Sequence, residues 1–160
     1  MANANTPFGL RPYGDLLSVR RYVAGSTVYP NDPVALATDG QVDSSVTAPL
    51  LGVAMNYATV GQDVMVADSP EQLFEVESDE ATAAADVGKN ADLALGTAST
   101  TYKMSRAYLD GSTAGDTATL TVKILDIARY PNNTASSDNV NVIVKINNHL
   151  LGSHTGTAGF

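Results

Sequence analysis

The sequence predicts a mainly β protein, a small β-barrel or β-sandwich with at most one or two short helices. Two patterns support this prediction. Polar and apolar residues alternate in several short segments, and turn-forming residues separate these segments roughly every 8 to 12 residues. The chain has 160 residues, which suits one domain with a core of its own.

The clearest alternation lies near the end, in NVNVIVKIN (139–147). One side of this predicted strand carries the apolar residues Val140, Val142, Val144 and Ile146. A second strand is predicted in TATLTVKIL (117–125), directly after DGSTAGD (110–116). The Gly, Asp, Ser and Thr residues of DGSTAGD are typical of a turn, so we predict a turn that leads into a strand.

Upstream, LLGVAM (50–55), QDVMVAD (62–68) and QLFEVES (72–78) are short apolar or alternating segments. They predict a meander of short strands. Before them, Asp39 and Gly40 form the strongest short hairpin signal in the chain, and a strand is predicted on each side of them.

Only DEATAAADVGKNADLAL (79–95) has the residue types of a helix, and Gly88 with Asn90 would end that helix after about two turns. The predicted organisation is an extended N-terminal arm (1–14), a single β domain (15–150) and a C-terminal tail (151–160). Neither end has a periodic pattern, so we expect neither to be buried in the chain's own core.

Negative charge is concentrated in residues 63–92. This window has nine acids and one base, Lys89, which gives it the same net charge as the whole chain, −8. The acids are Asp63, Asp68, Glu71, Glu75, Glu77, Asp79, Glu80, Asp86 and Asp92. We interpret them as a solvated face that keeps the protein soluble; the alternative is a docking surface for a basic arm. Such a surface repels nucleic acid and anionic membranes, so neither is predicted as a partner.

Catalytic, cofactor and metal sites are not predicted. The chain has no Cys, and it lacks the motifs of nucleotide-binding loops, serine hydrolases, zinc proteases and calcium loops. The spacing of His149 and His154 fits no shared metal, so surface or interface hydrogen bonding is expected for them. Glu75 and Glu77 share one strand face, which suits acid and base work, but paired acids there more often form the solvent side of a sheet.

The chain shows no secretory signal and no apolar run that would span a membrane. We therefore expect a soluble protein made in a cytoplasm.

The order of several phrases is familiar: PFGLRP, PLLGVAM, GQDVMVAD, FEVE, ADVGKNADL, YLDGSTA and VIVKINNH. Together they resemble the capsid decoration (cement) proteins of tailed bacteriophages. The resemblance covers most of the chain and is weakest around residues 77–86. It implies a non-catalytic, mostly β virion structural protein, commonly a homotrimer, on the outer capsid surface of the bacteriophage head. There it would bridge major capsid protein subunits, after synthesis in the bacterial host cytoplasm.

Contacts with the capsid protein or with another copy are predicted at aromatic residues near the two ends and at the arginines of a mildly basic N-terminal arm. These residues are Phe8, Arg11, Tyr13, Arg20, Arg21 and Phe160. Two alternatives stay open. One is another virion structural role, in a tail tube, a head-tail connector or a fibre base. The other is a surface-displayed carbohydrate-binding or hydrolytic β domain, supported only by Glu75, Glu77 and the β architecture.

Overall fold

A computed structural model of the chain describes residues 2–152 and 155–160, which form eleven β-strands and one short 3-10 helix. The mainly β prediction is confirmed. In chain order the strands are β1 (Arg11–Tyr13), β2 (Val19–Ala24), β3 (Pro33–Leu36), β4 (Gln41–Ser44), β5 (Gly52–Ala54), β6 (Asp63–Ala67), β7 (Leu73–Glu77), β8 (Asn90–Ala94), β9 (Tyr108–Gly115), β10 (Val122–Ile127) and β11 (Asn141–Ile146). Within the described residues, no helix has the length and hydropathy needed to cross a membrane.

Five strands close into a barrel in the order β2-β4-β3-β5-β6. Strands β2 and β4 run parallel, and the other neighbouring pairs are antiparallel. The turn between β3 and β4 is the predicted hairpin: Gly40 has a φ of 82°, and its N–H donates to the carbonyl of Ala37 at 3.0 Å. Glycine adopts this left-handed conformation without a steric penalty.

The other six strands form an antiparallel sheet in the order β1-β7-β11-β10-β8-β9. Just beyond β7, Ser78 forms an isolated bridge with Leu109 of β9. The sheet therefore curls until the end of its second strand meets its last strand, and β1 remains outside as a short edge strand.

Alternating residues of both sheets fill two apolar cores. The smaller core lies inside the barrel, around Val34, Val64 and Val66. The larger core is lined by the curled sheet, but it also includes Val53 of β5 and Ala67 of β6. Because barrel residues pack into the larger core, the two sheets are joined by apolar contact.

Two local predictions are wrong. The segment predicted as a helix forms only a 3-10 turn at Ala84–Asp86 and then enters β8, because Ala91 and Leu93 alternate into the larger core. The predicted turn at 110–116 lies largely within β9. Its polar residues pair with β8 across a register shift, and side-chain bonds such as Thr113 Oγ1 to the carbonyl of Asp110 (2.7 Å) support the irregular strand.

The two ends lie on the chain's own fold. Residues Arg11–Tyr13 of the predicted arm form β1, and the preceding Leu10 is fully buried in the larger core. The expectation that the end stays out of the core is therefore wrong for Leu10. A single leucine between glycine and arginine gives no periodic signal, whereas backbone bonds from Gly9 to Ala107 and from Leu10 to Asn31 fix its position. The predicted tail also bonds to the sheet, as described below.

Candidate functional site

Three of the nine acids in the charged window are buried, contrary to their interpretation as a solvated face. Asp68, Glu75 and Glu77 are 1%, 7% and 3% exposed. Glu75 and Glu77 do share one face of β7, opposite Phe74 and Val76 of the larger core, but other parts of the chain cover that face. A buried carboxylate is tolerated only where hydrogen-bond donors or positive charges surround it. Each of these three carboxylates has such partners.

Asp68 accepts three side-chain hydrogen bonds from the start of the barrel. Ser18 Oγ donates at 2.8 Å, Tyr22 Oη at 2.8 Å and Arg20 Nε at 2.5 Å. Burial alone raises the pKa of Asp68, but the bonds from Tyr22, Arg20 and Ser18 outweigh burial and hold this pKa below its ordinary value. Burial and the same carboxylate raise the pKa of Tyr22 to about 12. The cluster ties β2 to the end of β6.

Glu75 connects the edge strand to the far end of β10. Its carboxylate lies 2.9 Å from Arg11 Nη2 and accepts a bond from Tyr130 Oη at 2.9 Å. The amide nitrogen of Asn141 also contacts the Tyr130 hydroxyl. With both oxygens engaged, Glu75 holds the structure together and does not present a free base.

Glu77 binds the N-terminal segment through the backbone N–H of Thr6, which lies 3.1 Å from each carboxylate oxygen. Burial raises the pKa of Glu77, and the Thr6 N–H and the charge of Arg106 only partly offset it. Glu75 and Glu77 therefore have separate partners and separate structural roles, which weakens the idea of an acid and base pair.

The six residues predicted to bind partners do not form one site. Phe8 is half-buried under the Arg11 guanidinium, which lies 4.5 Å from its ring centre, and Tyr13 is 49% exposed on the edge strand. Arg20 and Arg21 lie on the barrel strand β2. Phe160 lies elsewhere, beside Gly88.

The arginines predicted to reach a partner are already paired within the chain. Arg11 pairs with Glu75, Arg20 with Asp68, and Arg21 Nη1 lies 3.2 Å from Asp63 Oδ2. Their side chains are more than half exposed, so they still contribute to the surface. Within the described residues, each of these three arginines therefore has a carboxylate beside it.

The backbone of the C-terminal tail is hydrogen-bonded to residues in or next to β8, β10 and β11. Asn147 Nδ2 donates to the Thr157 carbonyl at 3.1 Å, and Asn147 Oδ1 accepts the Thr157 N–H at 3.0 Å. The buried Asn90 also donates to the Thr157 carbonyl, at 2.7 Å. Lys123 Nζ donates to the Ala158 carbonyl at 2.7 Å. Finally, the N–H of Phe160 donates to the Gly88 carbonyl at 3.1 Å.

Although its backbone is bonded, the side chain of Phe160 is 91% exposed. The ring lies over Gly88, where an added β-carbon would come within 2.3 Å of Phe160 Cδ2. The fold thus presents an aromatic ring to solvent beside Gly88, on a backbone that is bonded to the rest of the chain. The sequence indicated Phe160 as a contact residue but gave no sign of the Asn90 and Asn147 amides that position it, because isolated asparagines next to strands are common.

The histidines have no shared site among the residues described. His149 is 1% exposed, so it is not the surface group expected; its Nδ1 accepts the N–H of Leu151 at 3.0 Å. A backbone bridge to Leu50 places it inside the fold. His154 lies outside the described residues. Across residues 2–152 and 155–160, no group of three His, Cys, Asp or Glu side chains is arranged to hold a metal ion.

No protein-family model matches the chain, and no curated protein sequence matches it.

Proposed function

We propose that this protein is a non-catalytic structural protein of a virion, which decorates and cements the outer surface of a tailed-phage head by bridging major capsid protein subunits. The resemblance described above is the basis for the kind of particle. The single structural observation that supports attachment is the exposed ring of Phe160 on a bonded backbone.

An exposed aromatic side chain on a bonded backbone is well suited to anchor one protein on another. Aromatic residues are enriched among the few interface positions that supply most of the binding energy. Binding is also favoured when the contributing segment is ordered beforehand, because less conformational entropy is lost. The bonds from Asn147, Asn90 and Lys123 order the tail of Phe160 in the free protein.

The charge distribution supports the outer face of the shell. The chain's net charge is −8, and six of its bases are paired with its own acids among the described residues. Unpaired negative charge therefore dominates the surface. The genome side of a filled head faces a dense polyanion, which such a surface would repel.

The closed barrel and the edge strand β1 favour side-chain docking over strand addition. The barrel is closed, and the edge strand β1 has Pro12 at its centre, which has no N–H to donate. Contacts between copies, and with the capsid protein, would then depend on side chains such as Phe160 and Tyr13. Many modest contacts of this kind add up when a multimer bridges a lattice.

Binding to heads that lack the protein tests the proposal. We expect wild-type protein to co-sediment with such heads at a copy number comparable with the major capsid protein, and Phe160→Ala to bind about thirtyfold more weakly, the equivalent of about 2 kcal/mol. Tyr102→Ala is the matched control, since Tyr102 is also a highly exposed aromatic residue, at 75%. A dozen copies or fewer per particle would instead indicate a connector or tail role, and no binding at all would refute the proposal.

The proposal includes a homotrimer as the working unit. Light scattering on the purified protein at low micromolar concentration checks this part. A mass of three chains supports it, and a stable monomer contradicts it.

A further inference from the structure

A cavity of about 320 Å³ lies beside β10 and β11, at the margin of the larger core, which shares Ile146 with it. Its walls include Leu125 and Ile146, with Thr157 of the tail. Lys123 and Lys145 also line it, and the antiparallel register places them directly opposite each other.

This pair of lysines is unfavourable without a counter-charge. Side chains directly opposite on neighbouring antiparallel strands have β-carbons about 5 Å apart, and like charges there destabilise the sheet. The chain has only nine Lys and Arg residues and a net charge of −8, so two lysines side by side are unusual in this protein.

Among the described residues, carboxylates neutralise only one of the two lysines. Lys145 Nζ lies 2.8 Å from Glu71 Oε2, on a glutamate side chain that is 73% exposed. Lys123 Nζ donates to the Ala158 carbonyl, a neutral acceptor, and none of the ion pairs formed by described residues involves Lys123. With Lys123, Lys145 and Glu71 counted, the cavity carries one net positive charge.

We propose that this cavity binds a small oxyanion of the carboxylate or phosphate class, held between the ammonium groups of Lys123 and Lys145. The anion would supply the missing counter-charge, and the apolar wall residues would strengthen the attraction by excluding water. Glu71 competes with the anion for Lys145, so it limits the affinity. This inference is independent of the proposed role in a virion.

Calorimetric titration of the full chain with inorganic phosphate, and separately with citrate, tests the site. Sodium chloride at matched ionic strength is the reference, because it screens charge without supplying an oxyanion. We expect saturable binding of at least one anion, and the stronger of the two identifies phosphate or carboxylate as the preferred class. Heats no different from those of chloride would overturn the proposal.

Lysine variants distinguish specific binding in this cavity from non-specific attraction of anions to positive charge. Lys123→Gln and Lys145→Gln should each weaken binding about tenfold. Lys103→Gln is the control, since Lys103 lies over the Tyr57 ring and lines no part of this cavity; it should leave binding unchanged.

Glu71→Gln gives the opposite sign and does not depend on the lysine variants folding. Because it removes an exposed competitor of the anion, it should tighten binding severalfold. Equal weakening by Lys103→Gln and Lys145→Gln, or weaker binding by Glu71→Gln, would contradict the site.

Discussion

The backbone N–H of Thr6 lies 3.1 Å from each carboxylate oxygen of Glu77, which is 3% exposed at the end of β7. A second attachment lies nearby, where the Asn3 side chain bonds the backbone of Thr134 and Asp138. The N-terminal segment is therefore fastened along the sheet before the chain enters β1. The N-terminal segment therefore stabilises the fold, in addition to any contact that it makes outside the chain.

Glu77→Ala should loosen the N-terminal segment. The Thr6 N–H would lose its acceptor and the side chain would leave a void, so we expect a loss of about 1 to 3 kcal/mol in the free energy of unfolding. Chemical denaturation measures this loss, and limited proteolysis should cut within residues 2–10 sooner than in the wild type. Glu80→Ala is the control because Glu80 is exposed; a loss there of similar size would contradict the assignment.

Leu10→Ala should destabilise the protein far more than Leu17→Ala. Leu10 is fully buried in the larger core, whereas Leu17 is 54% exposed. The same chemical change should therefore cost about 2 to 5 kcal/mol at Leu10 and at most about 0.5 kcal/mol at Leu17. Thermal and denaturant unfolding of the two variants measure the difference. Equal losses would mean that the N-terminal segment does not belong to the core.

The sequence predicted the strands whose faces alternate and missed those whose pairing depends on distant partners. Val142, Val144 and Ile146 recur at every second position and lie in β11 as predicted. Gly111 and Gly115 read as turn residues, yet β9 pairs with β8 along this stretch. Tertiary pairing overrides local propensity here, since sheet preferences depend on the neighbouring strands.

The candidate contact residues were predicted in part. An aromatic at the tip of a glycine-rich tail indicated Phe160, and the structure leaves its ring exposed. The sequence does not reveal that the arginines are paired, because their partners are far away along the chain: Arg20 and Asp68 are 48 residues apart. Alternation alone likewise assigned Glu77 to the solvent side, since it identifies the two faces of a strand but not what covers the second one.

Asp68→Asn should destabilise the protein at neutral pH and much less in acid. The folded state holds the pKa of Asp68 below its ordinary value of 3.8, so the carboxylate stabilises the fold above that pH. This stabilisation is lost as the pH falls from 3.8 through the lower folded pKa. Unfolding of both proteins between pH 7 and pH 2 should show a loss of about 1 to 3 kcal/mol at neutral pH that shrinks in acid.

Glu77→Gln is the contrasting variant for this pH series, because burial raises the pKa of Glu77. The folded protein then takes up a proton at Glu77 before the unfolded chain does. Wild-type stability relative to Glu77→Gln should therefore rise as the pH falls through the folded pKa towards 4.5. If the two variants respond to acid in the same direction, one of the two environments is wrongly assigned.

Gly88→Ala should displace Phe160, whereas Gly40→Ala should not. Both glycines have a positive φ, 93° and 82°, so alanine strains both backbones by about 1 kcal/mol. The two glycines differ in the room available for a side chain. A β-carbon at Gly88 would lie 2.3 Å from Phe160 Cδ2, whereas a β-carbon at Gly40 would have no atom within 4 Å. Amide hydrogen exchange at Phe160, whose N–H bonds the Gly88 carbonyl, should accelerate only in Gly88→Ala. Binding to heads should weaken with it, and equal exchange in both variants would show that Gly88 does not position the ring.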